Sequence, residues 1–311
     1  MARPVRIEYP GAFYHITARG NERKDIFKSR RDREQFLSYL ESATERYGAA
    51  IHTYCLMSNH YHLLLETPAG NLSQIMRHIN GAYTTYFNTK RRRAGHLLQG
   101  RYKAILVEAD EYAKELSRYI HLNPVRAAAV EKPEEYQWSS YSEYIGKRKP
   151  ADWLHRDFIL AYFGGKERKA QREYQDFVEA ATVDTANPLS EVVGSLLLGN
   201  EDFVQTIREK YLEERKDDRN LPSVRKLAAR TTPEKIERVV EREFQEDAAL
   251  ARKVKLYLYH RYTGQSLKEI GMRFGMKESG VSQASRRFSE KMDSDSGLRK
   301  KVNGIKAVLG L

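Results

Sequence analysis

A single cysteine, Cys55, stands in 311 residues. One thiol excludes an internal disulfide and a cysteine-rich zinc site, and it fits a reducing compartment. No apolar run approaches the roughly 18 residues of a membrane span, and the start, Met1-Ala-Arg-Pro-Val-Arg-Ile-Glu8, lacks the apolar centre of a signal peptide. The expectation is a soluble cytoplasmic, nucleoid-associated protein with no membrane partner. Acidic charge is also in deficit: 42 Asp and Glu face 54 Lys and Arg, a formal net charge of +12. An excess of that size favours a polyanionic partner, with nucleic acid foremost.

The excess is uneven. Residues 1–150 hold 24 basic against 16 acidic side chains and residues 241–311 hold 15 against 9, whereas the middle holds 15 against 17. Two basic ends flank a near-neutral stretch, and 311 residues suffice for two or three cores. Gly146-Lys-Arg-Lys-Pro150 is a plausible boundary. The predicted organisation is therefore residues 1–150, a helical connector over 151–240 with a charged run at Glu213–Arg219, and a last domain over 241–311.

Gly11–Ala18 is rich in aromatic and β-branched residues and reads as a first strand. Between Asp32 and Tyr47, Phe36, Leu37, Leu40 and Ala43 recur at helical spacing, with Gly48 as the stop. Ile51–Met57 is a second strand, and Ser58-Asn59 turns the chain into a third. A helix follows from Leu72 to Thr89, then the cationic run Lys90–Arg93 and a strand over Tyr102–Val107. Asp110 is the expected N-cap of a helix that Pro124 should disturb just after Asn123. Strand, helix, strand, strand, helix, strand is the split βαβ, or ferredoxin-like, order. The fold class is thus α+β, an antiparallel sheet with helices, followed by an all-α C-terminal region.

The third strand, in Met57-Ser-Asn-His-Tyr-His-Leu-Leu-Leu-Glu66, places His60 and His62 on one face and Tyr61 on the other, because strand side chains alternate. Two readings stay open for the pair: packed or hydrogen-bonded imidazoles, or pre-aligned metal ligands. Tyr119 and Asn123 are four apart on one helical face near its end. Tyr119 reads equally as a core aromatic and Asn123 as a C-terminal cap. Cations that hold phosphates beside rings that stack on bases suit single-stranded nucleic acid, and Arg19, Arg23, Arg92, Arg101 and Lys103 with Tyr102 make such a set.

The last segment has its own pattern. Ala248–Tyr262 is predicted helical, Ser266-Leu-Lys-Glu269 is a capping box opening a second helix, Gly275 turns the chain, and Ser279–Met292 forms a third. Gln283, Arg286 and Arg287 are left outward. This is a helix-turn-helix spacing, whose second helix enters the major groove of duplex DNA, although a plain helical hairpin has the same periodicity.

His60-Tyr61-His62 resembles the His-hydrophobic-His motif of HUH single-strand endonucleases. Tyr119-Ile-His-Leu-Asn-Pro-Val-Arg126, with Tyr14-His-Ile-Thr-Ala-Arg-Gly-Asn21, Gln99-Gly-Arg-Tyr-Lys103 and Trp138-Ser-Ser-Tyr141, resembles the IS200-like tyrosine transposases, and among them the REP-associated ones. Ser266–Phe288 is similar to the C-terminal DNA-binding domain of DnaA-type replication initiators. The resemblance implies a ferredoxin-like HUH nuclease. His60, His62 and Asn123 would bind Mg²⁺ or Mn²⁺, and Tyr119 would be the nucleophile, forming a 5′-phosphotyrosine link during transposition. Expected partners are single-stranded or hairpin DNA, and duplex DNA through the helix-turn-helix, for a monomer or homodimer. The alternatives are a rolling-circle-type replication initiator or relaxase, and a sequence-specific DNA-binding regulator with a lapsed nuclease site. His15, His121 and Glu66 could sit near the site but are not expected to be ligands.

Overall fold

The computed structural model describes residues 6–181, 187–212 and 231–311, with 246, 264, 266 and 310 excepted. The charged run Glu213–Arg219 and the capping Ser266 lie outside the described residues. Two compact units emerge, Arg6–Val204 and Gln205–Leu311, and each is taken by itself.

The first unit is built on β1 (Ala12–Arg19), α1 (Arg30–Tyr47), β2 (Ala50–Leu56), β3 (His60–Thr67), α2 (Leu72–Lys90), β4 (Lys103–Val107) and α3 (Ala109–His121). The strand order β2-β3-β1-β4, antiparallel throughout, is the predicted ferredoxin-like arrangement. A fifth strand, β5 (Leu197–Leu198), adds to β4 in parallel and makes the sheet mixed. Two residues are too few to show alternation, so β5 left no trace in the sequence pattern.

The ends of α1 follow its sequence. Ser29 caps it by accepting from the Asp32 backbone N–H, and Gly48 closes it in the left-handed conformation at φ 63°, where glycine carries no Cβ penalty. The start of α3 corrects the expectation: Glu108 is its N-cap residue and Asp110 sits inside the first turn, where a carboxylate still complements the helix dipole. Pro124 opens the next turn, Asn123–Arg126, instead of merely ending α3.

One face of the sheet is covered by α1 and α2. Ile16, Tyr61, Leu63 and Leu65 are buried there with Phe36, Leu40, Ile75, Ile79 and Tyr83, and Tyr61 donates its hydroxyl to Asn80 Oδ1 at 2.6 Å. The other face carries Phe13, Cys55, Leu64 and Val107 against α3 (Ala113, Leu116, Ile120) and against Tyr141, Tyr144, Ile159, Tyr174 and Val178. The chain past residue 150 is thus part of this core and not a connector. Its backbone also shields the sheet's edge: Leu56 N–H donates to Trp138 O, Ser140 N–H to Tyr54 O and His155 N–H to Ile51 O, removing an unpaired β2 edge.

A buried polar network ties this second layer down. His121 bonds Tyr174 Oη at 2.7 Å through Nδ1 and Ser140 Oγ at 2.8 Å through Nε2, and Tyr174 donates to Ser117 Oγ at 3.0 Å. Burial holds the His121 imidazole down to about 3. Because its ordinary value is about 6.5, the unfolded chain takes up this proton first as pH falls. The contribution is whole above pH 6.5 and is lost between there and about pH 3, at up to about 1.4 kcal/mol per pH unit. Urea midpoints at pH 7 and pH 5 check this, with a drop expected in the native chain and a smaller one in His121→Gln. Equal slopes for the two chains would contradict it.

In the second unit, helices Pro233–Glu243, Ala248–Tyr262, Leu267–Phe274, Glu278–Ser294 and Ser296–Val308 enclose Ile236, Val240, Val254, Leu258, Ile270, Phe274, Val281, Phe288, Val302 and Ile305. The domain expected over 241–311 therefore begins earlier, because Ile236 and Val240 fill its core. The tight turn needs its glycines. A Cβ on Gly271 would meet Met276 O at 2.5 Å, and Gly275 has φ +63°.

Candidate functional site

Cross-strand registry assembles the site on the α3-facing side of the sheet. Residues directly opposite in an antiparallel pair share a face. Arg19 stands opposite His60. Thr17 stands opposite His62 on one side and Lys103 on the other, and Cys55 opposite His62 extends the row. His15, two residues before Thr17, lies one row deeper, opposite Leu64 and Ile105. Tyr61 points to the opposite core, as the strand period requires.

The three imidazoles touch. The His60 and His62 rings lie 5.1 Å apart and nearly perpendicular, while His15 and His62 stack at 5.3 Å with only 10° between planes. His15 Nε2 and His62 Nδ1 are 3.0 Å apart. His60 Nδ1 bonds Asn59 Oδ1 at 2.7 Å. An N–H there donates to the amide oxygen, which leaves the lone pair of His60 on Nε2.

α3 brings Tyr119 onto this cluster. Its ring sits edge-on to His62 at 6.0 Å and to His15 at 6.1 Å. The Arg126 guanidinium lies over the tyrosine ring, 4.8 Å from its centroid. Asn123 donates through Nδ2 to Tyr119 O at 2.9 Å, so its amide oxygen, the end able to ligate a cation, is not used in that bond. Sequence spacing gave Tyr119 and Asn123 a common face, whereas the position of Arg126 over the nucleophile candidate comes from the turn after Pro124.

The electrostatics favour neutral imidazoles. Burial lowers His60 to about 4, with Arg19 adding to the effect, and burial likewise lowers His15 to about 4. His62 is held well below its usual range by burial and then by its two histidine neighbours. Lone pairs are therefore present at neutral pH without competition from protons. Burial raises the Tyr119 hydroxyl, opposed by Arg126.

Among the described residues, no cluster of three or more His, Cys, Asp or Glu could hold a metal ion. Two neutral imidazoles and an amide oxygen nevertheless make a partial donor set for a divalent cation, with the amide as its hard oxygen donor and phosphate and water left to supply the rest. Of the other acidic and basic neighbours, Glu66 is engaged by His52 at 3.2 Å, and His121 is committed to its buried network.

The expected nucleic-acid contacts divide. Arg19, Arg23, Arg92, Arg101 and Lys103 are exposed. Gly20 N–H donates to Asn59 O, Asn21 N–H to Leu97 O and Gln99 N–H to Arg19 O, so the loop bearing Arg92 and Arg101 is stitched to the end of β1 beside Arg19. Tyr102 is a correction. It is 8% exposed and the Arg6 guanidinium covers its ring at 4.1 Å, so its face is not open for base stacking. Its place in a run of cations suggested otherwise, but strand alternation turns it inward while Arg101 and Lys103 face out.

Residues 9–123 match the family model described as "Transposase IS200 like". This segment is similar to the IS200-like transposases. All of β1 to α3, with His15, His60, His62, Tyr119 and Asn123, lies within the IS200-like match. A solved structure titled as the REP-associated tyrosine transposase bound to a REP hairpin is 16% identical, with a TM-score of 0.42 over 50% of this chain and 92% of that one. The chromosomal replication initiator protein DnaA of Nautilia profundicola is 26% identical over 149 residues, 48% of this chain. The chain spans about a third of that protein's length, 33%.

Outside the IS200-like segment, in the second unit, Gln283, Arg286 and Arg287 are all exposed on helix Glu278–Ser294, while Val281, Ser285 and Phe288 are buried. Arg286 pairs with Glu290 at 3.2 Å, with both side chains exposed. Such a surface pair contributes little and is readily exchanged for another anion. No helix among the described residues is long and apolar enough to cross a membrane.

Proposed function

We propose that the first unit is a single-tyrosine DNA nickase and strand transferase of the transposase type, dependent on Mg²⁺ or Mn²⁺, acting on single-stranded or hairpin DNA. The second unit is a duplex-DNA reader. The observation that carries the reading is the convergence of the Tyr119 ring on His62, at 6.0 Å, with His60 alongside. A rigid strand and a packed helix thus bring a nucleophile type and a ligand pair to one place.

His60 and His62, with Asn123 as third, would hold the cation, which when bound polarises the scissile phosphate and offsets charge developing in the transition state. Tyr119 supplies the attacking oxygen. The bond from Tyr119 Oη to phosphorus forms as the bond from phosphorus to the 3′ oxygen breaks. The phenolic proton ends on that oxygen, giving a 5′-phosphotyrosine and a free 3′-hydroxyl. One phosphodiester replaces another, so a second 3′-hydroxyl can reverse the step without an external energy source. Arg19, Arg23, Arg92, Arg101 and Lys103 hold backbone phosphates around the site.

The test is a denaturing gel of the protein with labelled single-stranded hairpin oligonucleotides carrying randomised flanks, with and without Mg²⁺ or Mn²⁺. A covalent protein–DNA band that requires the cation is expected. Duplex binding with no adduct from any pool would sink the nuclease reading in favour of a DNA-binding regulator.

For the second unit, removing one phosphate contact reduces the salt dependence of binding by about one in log–log slope. Arg287→Ala is expected to weaken duplex binding and flatten that slope, read from binding isotherms between 50 and 200 mM salt, approximate bounds set by the same relation. An unchanged slope would place Arg287 outside the interface.

A further inference from the structure

His15 lies outside the His60–Tyr61–His62 motif, yet it is in hydrogen-bond contact with His62. The residue is 2% exposed, its Nε2 is 3.0 Å from His62 Nδ1, and its ring stacks nearly parallel on His62. Its other nitrogen, Nδ1, is buried without a hydrogen-bond partner. Two neutral imidazoles joined in this way share one contact proton, which can sit on either side of it.

The two arrangements differ in what His62 can do. When His15 Nε2–H donates, His62 accepts at Nδ1 and carries its own proton on Nε2, so neither of its nitrogens is open to a cation. When His62 Nδ1–H donates to His15 Nε2, the His62 Nε2 lone pair is free, and His15 carries its proton on the buried Nδ1. Only the second arrangement makes His62 a ligand, and it does so by leaving a buried N–H unpaired on His15. The first leaves only an unpaired acceptor there. Hydrogen bonding alone therefore does not favour the ligating tautomer, and cation binding would draw the pair into it.

We propose that His15 is a positioning residue that accepts the His62 Nδ1 proton and thereby aims the Nε2 lone pair of His62 at the bound cation. This rests on the reading that His60 and His62 hold a divalent cation. His15 itself is not a ligand in this scheme; it acts through His62, and its edge contact with Tyr119 at 6.1 Å places the same ring behind the nucleophile. A partner that fixes the tautomer of a ligating histidine is worth roughly 10- to 100-fold in metal affinity.

The experiment is a titration of the full chain with Mn²⁺ in the absence of DNA, following the paramagnetic resonance of free Mn²⁺, for the native protein, His15→Leu, His15→Gln and His62→Ala. Leucine fills the site but accepts no hydrogen bond, and about a 10- to 100-fold loss of affinity is expected. Glutamine presents a carbonyl oxygen and should retain most of the affinity. Native affinity in His15→Leu would overturn the proposal. Equal Mn²⁺ binding by the native chain and His62→Ala, or none by either, would instead reject the cation reading on which it stands. Should His15→Leu fail to fold, ¹⁵N imidazole spectra of the native chain with Mg²⁺ decide the matter. A His62 proton on Nδ1 supports the proposal, and a proton on Nε2 overturns it.

Discussion

Tyr119→Phe is expected to abolish covalent adduct formation and strand cleavage while leaving DNA binding and folding intact. The substitution removes one oxygen and nothing else. The ring keeps its edge contacts with His15 and His62 and its place under Arg126, and no hydrogen bond of the Tyr119 hydroxyl contributes to the fold among those described. Loss of a sole nucleophile costs on the order of four or more decades in rate. The comparison that gives this meaning is His60→Ala, which should lower the rate strongly but leave residual adduct at high cation concentration, since His62 and the phosphate remain. Adduct formed at native yield by Tyr119→Phe would move the nucleophile elsewhere among the tyrosines, and Tyr112, on α3 itself, and Tyr136 would be the next to substitute.

Asp32→Ala is expected to destabilise the first unit by about 2–3 kcal/mol. Its carboxylate is fully buried at the start of α1 and receives Lys90 Nζ at 2.8 Å, Arg91 Nη2 and the Lys28 backbone N–H at 2.9 Å. Burial alone would raise this carboxyl, but the bonds from Lys90, Arg91 and Lys28 outweigh it and hold it down at about 2. Removing one member of a buried ion pair strands the others. Full burial of all partners would cost about 3–5 kcal/mol, and the partial exposure of Lys90 and Arg91, 33% and 20%, reduces that. Because Lys90 and Arg91 begin the basic loop, the variant should also weaken single-stranded DNA binding beyond its effect on the urea midpoint. A stability change below about 0.5 kcal/mol, the range of ordinary surface substitutions, would show that the ion pair does not fasten α1 to the end of α2.

That His60 and His62 share a strand face, and Tyr119 and Asn123 a helical one, was legible because strand and helix periods are local properties. A two-residue alternation put the histidines on one face, and four-residue spacing put Asn123 one turn beyond Tyr119. The ferredoxin-like order followed for the same reason, each element being long enough to show its period. Tyr102 misled because composition near a cationic run says nothing about which way a side chain faces. Its neighbours Arg101 and Lys103 point outward, and the tyrosine is covered by Arg6, 96 positions away in the chain.

By itself, then, the sequence determined the local elements, their order, the basic ends, and which side chains of each element share a face. Only the tertiary structure decided what meets across elements. It put His15 against His62, Arg126 over Tyr119, β5 beside β4, and Tyr174 with Ser140 around His121. Apart from Arg126 and Tyr119, which a local turn brings together, these contacts join segments distant in the chain, and their geometry follows from strand register and core packing. A one-residue shift in the β1–β3 register would have sent His15 to the opposite face. The chain from 151 to 204 is the clearest case, since helix Glu167–Glu179 buries Ala170, Tyr174 and Val178 at helical spacing but that period does not say which core it faces. It belongs to the first unit only because its apolar side chains complete the layer over α3.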